Sequence, residues 1–242
     1  MNTNQSLDSQ IYKVGFWSII LAFVMLIISG FFPLDAPGGY SVTNDERIAW
    51  LIANSGPFII GWIIQIVWMT AWCITMFVLA WKIRGGHPIQ AIFAAMAVLV
   101  SFMGFIIPKF MAIWTIPQLA DAISNGGLGS ETANSLLLLL NQSFPFTLYA
   151  SFEYLGFWMY GVFSLLVARP LYQQSQQSVS MKITAVALGT FGILLHCMMV
   201  GVFVGIISSN DIHVYVFPFF LIIFLAFGAA AFNFKSAMSS EV

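Results

Sequence analysis

Lys109, Glu153 and His196 lie within stretches of chain that are otherwise apolar enough to cross a bilayer. A charge in hydrocarbon costs several kcal/mol, about 2.5 or more on the mildest scales, so each of these groups needs a partner or water. Gln65 adds a fourth polar side chain at membrane depth. Their types fit recognition of a cationic or hydrogen-bonding solute, or movement of a proton. Glu153 would carry the charge, Lys109 would bias it, and His196 and Gln65 would fix polar atoms. Each also has a plainer reading: Lys109 as an interfacial anchor after Pro108, Glu153 as a structural carboxyl joining two helices, His196 as an interhelical hydrogen bond, and Gln65 as glue between helices.

Spacing gathers further residues around them, because positions three or four apart share a helical face. The Glu153 face carries Tyr149, Ala150, Gly156, Phe157 and Tyr160, and the Gln65 face carries Gly61, Trp62, Trp68, Met69 and Trp72. Tyr149 and Tyr160 offer phenols, while Trp62 and Trp68 offer aromatic walls and cation-π contact. The row Trp62, Trp68, Trp72 is explained most simply by packing. Ala185, Gly189, Gly192 and His196 form one small-residue stripe, of the kind that packs helix against helix.

Counting at helical rise puts Gln65 and Glu153 about 12 Å and His196 roughly 16 Å below the outer surface. Lys109 falls between the interface and about 7 Å, depending on where its helix stops. All four belong to the outer half of the bilayer. Helical side chains lean toward their own N-terminus, so Glu153 on an inward-running helix and Lys109 on an outward-running one lean toward each other, and an ion pair is geometrically feasible.

The elements that must hold these residues follow from composition. Of 242 residues, 60% are apolar and 7% charged, and mean hydropathy is +0.92. A soluble domain carries about a quarter charged residues, so lipid is the implied solvent. Six segments, approximately 14–33, 57–81, 90–113, 145–168, 183–207 and 215–235, are long enough to cross about 30 Å of hydrocarbon. The expected fold is a single all-α domain over 1–242, with six transmembrane helices in three hairpins. Lys13, Lys82, Arg84, Arg169, Lys182 and Lys235 fall on one side and only Arg47 among bases on the other, which makes both termini cytoplasmic by the positive-inside rule. A bacterial cytoplasmic membrane is the default location, since nothing marks an organelle signal. The first span, from Val14 to about Phe32, is too long for a signal-peptide core and reads as retained.

The first two outer connections are long. Thr43-Asn44-Asp45-Glu46 is a capping-box pattern followed by Ile48, Leu51 and Ile52 at helical spacing, with a stop at Gly56-Pro57. In the second connection, Pro117 to Ser124 and Ser130 to Leu140 are the helical stretches. These read as short helices on the outer surface, packed at the interface or serving as a lid. Pro57-Phe58, Pro145-Phe146 and Pro218-Phe219 open alternate helices and suggest a faint repeat, although proline is favoured in a first turn for its own reasons.

Several chemistries are disfavoured. His87 and His213 lie in connections on opposite sides, so neither matches the depth of His196 for a bis-histidine haem. Cys73 and Cys197 differ in depth by roughly 14 Å, too far to share a metal. A net charge of -1 and the lack of a basic stripe argue against nucleic acid. No phosphate loop, Ser-His-Asp ordering or His-Glu-x-x-His run is present. A retinal-type Schiff base on Lys109 has nothing specific behind it. Gly201 and Gly205 form Gly-x-x-x-Gly, a second packing surface for a partner chain or another copy.

The leading expectation is therefore a multi-pass membrane protein that binds or transports a small molecule in an outward-facing aromatic and polar pocket, with proton coupling through Glu153. The first alternative is a non-catalytic accessory or assembly subunit. The second is a membrane enzyme acting on a lipid or quinone, with Glu153 and His196 as acid and base. No cofactor is specified by these residues.

Overall fold

A computed structural model describes residues 3–127, 129–144, 147–174, 178–208 and 211–239. Among the described residues every regular element is helical: α1 (Thr3–Ser29), a 3-10 turn (Gly39–Ser41), α2 (Asn44–Ala53), α3 (Ser55–Ile83), α4 (Pro88–Asn125), α5 (Ser130–Leu140), α6 (Leu148–Gln174), α7 (Val179–Phe203) and α8 (Ile212–Ser239). By length and composition α1, α3, α4, α6, α7 and α8 could each cross a membrane. That is compatible with a multi-pass membrane protein in a lipid bilayer.

The helices outrun the expected spans, for local reasons. α1 begins well before Val14, because no Gly or Pro interrupts its polar start and Asp8 is held there by Trp81 Nε1 at 2.8 Å and Arg84 Nη2 at 2.6 Å. α4 runs through both Pro108 and Pro117. Neighbouring helices re-satisfy the carbonyls that a proline leaves free, so a membrane helix tolerates it. The stretch 117–124 is thus the end of α4 and not a separate surface helix. Pro145-Phe146 of the suggested repeat, and 175–177 between α6 and α7, lie outside the described residues.

The chain forms two compact units. The first comprises Met1–Ala22, Thr70–Phe102 and Phe157–Val242. In it the small-residue stripe of α7 meets α6: a Cβ on Gly192 would lie 2.8 Å from Leu165 and 3.1 Å from the Gly161 carbonyl, and one on Gly189 would lie 3.3 Å from Ala168. Thr184 Oγ1 donates to the Ala226 carbonyl at 3.1 Å and Asn233 Nδ2 to Ser178 Oγ at 3.0 Å, joining α7 to α8. Trp72 packs its ring against Phe224 and Phe227, with centroids 5.4 and 4.6 Å away.

Gly201 and Gly205 do not make the packing motif read from their spacing. α7 ends at Phe203, and Gly205 adopts φ +77°, the left-handed conformation that closes a helix and that a side chain resists. The Gly201 carbonyl accepts from Ile206 and Ile207 N–H, and the Ile207 side chain covers Gly201 itself.

The second unit comprises Phe23–Met69 and Met103–Gly156. Its core joins Ile48 and Leu51 of α2, Phe58 and Trp62 of α3, Ala112, Ile116 and Ala120 of α4, and Leu137 and Leu140 of α5. Ile52, the third apolar residue of α2, is exposed. The connections around this core are stitched by polar groups distant in sequence. Asp35 accepts from Arg47 Nε at 3.2 Å and from the Ser143 hydroxyl, Gln142 Nε2 donates to the Leu34 carbonyl at 2.9 Å, and Asn44 bonds Asn134.

α2 starts on the full capping box, with Thr43 Oγ1 accepting from Glu46 N–H and the Glu46 carboxylate accepting from Thr43 N–H. The Thr43 hydroxyl also donates to the Glu46 carboxylate at 2.8 Å, and that bond first, then the one from Thr43 N–H, holds the Glu46 carboxyl below its ordinary 4.5. A depressed carboxyl contributes fully above its ordinary value and loses that contribution as the pH falls through the folded value. Thr43→Ala is therefore expected to cost about 1 kcal/mol at neutral pH, with a deficit that narrows below pH 4.5. Denaturant midpoints at pH 7 and pH 3.5 (about one unit below) test this; an equal deficit at both would remove Glu46 from the account.

Candidate functional site

The site is built where α4 and α6 approach closely within the second unit. A Cβ on Gly104 of α4 would lie 3.0 Å from the Phe152 carbonyl and 3.1 Å from Gly156 N, and one on Gly156 would run into the Phe105 ring at 2.7 Å. Two facing glycines let the backbones approach closely. Lys109 lies five residues past Gly104 and Glu153 three before Gly156, so the contact sets the two charged side chains opposite each other.

Lys109 Nζ donates to Glu153 Oε1 at 2.6 Å. The Tyr149 hydroxyl, one turn before Glu153 on α6, donates to the same oxygen at 3.0 Å. The Lys109 ammonium is also ringed by aromatic faces, 5.2 Å from the Phe105 centroid and 5.9 Å from those of Trp62 and Tyr149. At these distances a ring quadrupole attracts a cation. Lys109 is thus an interior residue at 1% exposure, and α4 continues past it.

Exposure across the pair is unequal. The Lys109 side chain is 2% exposed and that of Glu153 25%. Among the described residues both of Glu153's hydrogen bonds fall on Oε1, which leaves Oε2 at the more exposed end of the pair. Beside the site, Leu34, Asp35, Phe58, Trp62, Asn141 and Tyr149 line a cavity with room for about one water molecule. Trp62 is 2% exposed and its Nε1 has no hydrogen-bond partner among the described residues.

Of the eight residues singled out from sequence, the structure brings four into one cluster: Lys109, Glu153, Tyr149 and Trp62. Gln65 and Trp68 belong to the same unit and are both buried at 8%, and among the described residues no hydrogen bond links Gln65 to the pair. Tyr160 and His196 belong to the first unit. There the Tyr160 hydroxyl meets Cys73 Sγ at 3.5 Å and bonds Ser101. His196 Nδ1 donates to the Gly192 carbonyl at 2.7 Å, and the ring lies against Gly161. A carbonyl only accepts, so the proton is on Nδ1.

Two groups in the second unit were not singled out as site residues. Arg47 is 1% exposed, lies 5.1 Å from the Phe144 ring centroid and donates through Nη2 to the Gly39 carbonyl at 2.5 Å as well as to Asp35. Phe105 completes the aromatic ring around Lys109. The only sequence signal for Phe105 was its place four residues before Lys109, one helical turn away. Among the described residues no three His, Cys, Asp or Glu side chains converge as metal ligands. Compared with protein-family models, with curated proteins and with solved structures, the chain matches none.

Proposed function

We propose that this is a multi-pass membrane protein that binds, and carries across the bilayer, a small cationic or hydrogen-bond-donating solute at Glu153, exchanging it for a proton. The single observation behind the reading is the unequal pair. Lys109 is sealed among aromatic rings, while among the described residues Glu153 Oε2 carries no hydrogen bond and its side chain is a quarter exposed. A solute cation would take Oε2, weaken the hold of Glu153 on Lys109 and find Trp62 and Tyr149 as apolar walls. The one-water cavity beside the pair means that the solute enters only after the surrounding connections move. In this proposal the six spans form three hairpins with both termini cytoplasmic, in a bacterial cytoplasmic membrane, and the solute arrives from the outer side. Gln65 and Trp68, of the same unit as the pair, line the route in that open form.

The test is a thermal-shift series with choline, ethanolamine and agmatine on detergent-solubilised protein. At a concentration a hundredfold above its dissociation constant, a true ligand adds about 2.7 kcal/mol of stability. The double variant Lys109→Met/Glu153→Gln, which removes both charges together, should stay folded and lose the shift. Wild-type protein that responds to none of the three, or a double variant that responds as wild type does, overturns the reading.

A second reading is favoured by the same small cavity. With Lys109 neutralised inside the protein beside a cavity for about one water, the pair also suits an accessory or assembly subunit, where it fastens α4 to α6. Stoichiometric copurification of another membrane protein, together with no cation response, would support that reading.

A further inference from the structure

We infer that the first compact unit holds an anionic phospholipid in a groove formed by α6, α7 and α8, with its phosphate on Lys182. The groove encloses about 530 Å3 and is lined by Ile183, Val186, Thr190, Ile222 and Leu225, with Tyr172 and Lys182. Its floor is apolar and its walls face outward: Val186 is 56% and Leu225 59% exposed. In a bilayer such a surface is covered by an acyl chain.

Charge selects the headgroup. Lys182 is the fourth residue of α7 and Tyr172 the third from the end of α6, so both sit at helix ends, where a span meets lipid headgroups. From Lys182 to Thr190 is eight residues, about 12 Å of helix for the chain to follow. Among the described residues the Lys182 ammonium makes no ion pair and no hydrogen bond. A second groove of the same unit, lined by Ile11, Val14, Phe77 and Trp81, also ends on a base, Arg84. That guanidinium is already bonded to Asp8 at 2.6 Å and stacked on Trp81 at 3.9 Å, so its charge is matched within the protein. Lys182 has no such match among the described residues, and a phosphodiester accepting from its ammonium and from the Tyr172 hydroxyl would supply one.

The full chain, purified in mild detergent, should be presented with dioleoylphosphatidylglycerol, dioleoylphosphatidylcholine or inorganic phosphate, and retained lipid read by native mass spectrometry. Phosphatidylglycerol is expected to stay bound, phosphatidylcholine to be lost, and inorganic phosphate not to compete, since it has no chain for the groove. A hydrogen bond to a charged group is worth enough that Lys182→Ala should weaken retention about tenfold or more, and Lys182→Arg should keep it. Arg169→Ala removes an exposed base that does not line the groove, and should leave retention unchanged. Thr190→Trp fills the groove without touching Lys182 and should also lose the lipid. Retention by Lys182→Ala or Thr190→Trp, an equal loss in Arg169→Ala, or displacement by inorganic phosphate would each overturn the site.

Discussion

Glu153→Ala is expected to destabilise the protein by about 3–5 kcal/mol, whereas Lys109→Met should cost only about 1–2 kcal/mol. The difference comes from what each substitution strands. Removing Glu153 leaves an ammonium at 1% exposure facing aromatic rings, and those faces are weak compensation for a lost carboxylate. Removing Lys109 leaves a carboxylate that is a quarter exposed and still bonded to the Tyr149 hydroxyl, while methionine refills the space among the rings. Because desolvating both charges offsets most of their attraction, Lys109→Met/Glu153→Gln should recover most of the loss seen in Glu153→Ala. Unfolding of the three variants in one detergent and at one pH measures the order. If Lys109→Met proves the more damaging, the burial asymmetry has no energetic meaning.

Arg47 carries the second large effect. Arg47→Ala should cost about 3 kcal/mol, because it leaves Asp35 only 9% exposed without its cation and frees the Gly39 carbonyl. Arg47→Lys should fail to rescue. The guanidinium reaches Asp35 through Nε and Gly39 through Nη2, and a single ammonium cannot hold both positions. The loss should also be local. Hydrogen exchange is expected to rise across 33–54 and 130–144, the two connections joined through Asp35 and Ser143, and to stay unchanged in α7 and α8. Wild-type stability in Arg47→Lys would show that charge alone is enough there.

Much of the fold is legible in the sequence because hydropathy and helix chemistry are local signals. The six long apolar helices, the capping box at Thr43 and Glu46, and the stripe of Gly189, Gly192 and His196 each follow from neighbours three or four residues apart. Lys109 facing Glu153 was legible too, from the lean of side chains on helices of opposite direction. What stayed hidden depends on contacts far apart in the chain. Arg47 reads as one base in a polar connection, and contacts with Asp35, twelve residues earlier and itself bonded to Ser143 108 residues on, with the Gly39 carbonyl and with the Phe144 ring turn it into a buried cation. The end of α4 was misread because Pro108 and Pro117 look like breakers, and a proline stops a helix only where nothing else satisfies the freed carbonyl. Gly201 and Gly205 share the spacing of a packing motif, and the turn that Gly205 permits cannot be told from spacing alone.

The ring of aromatics around Lys109 makes the site observable by light. With the ammonium 5.9 Å from its centroid, the Trp62 indole sits in a strong local field, and its emission colour depends on whether that cation is held there. The difference between the spectra of wild-type protein and Trp62→Phe isolates this one indole from the other seven tryptophans. A resident fluorophore thus lies beside the pair, and loss of Lys109 or a change in how Glu153 holds it would register as a wavelength change without any attached dye.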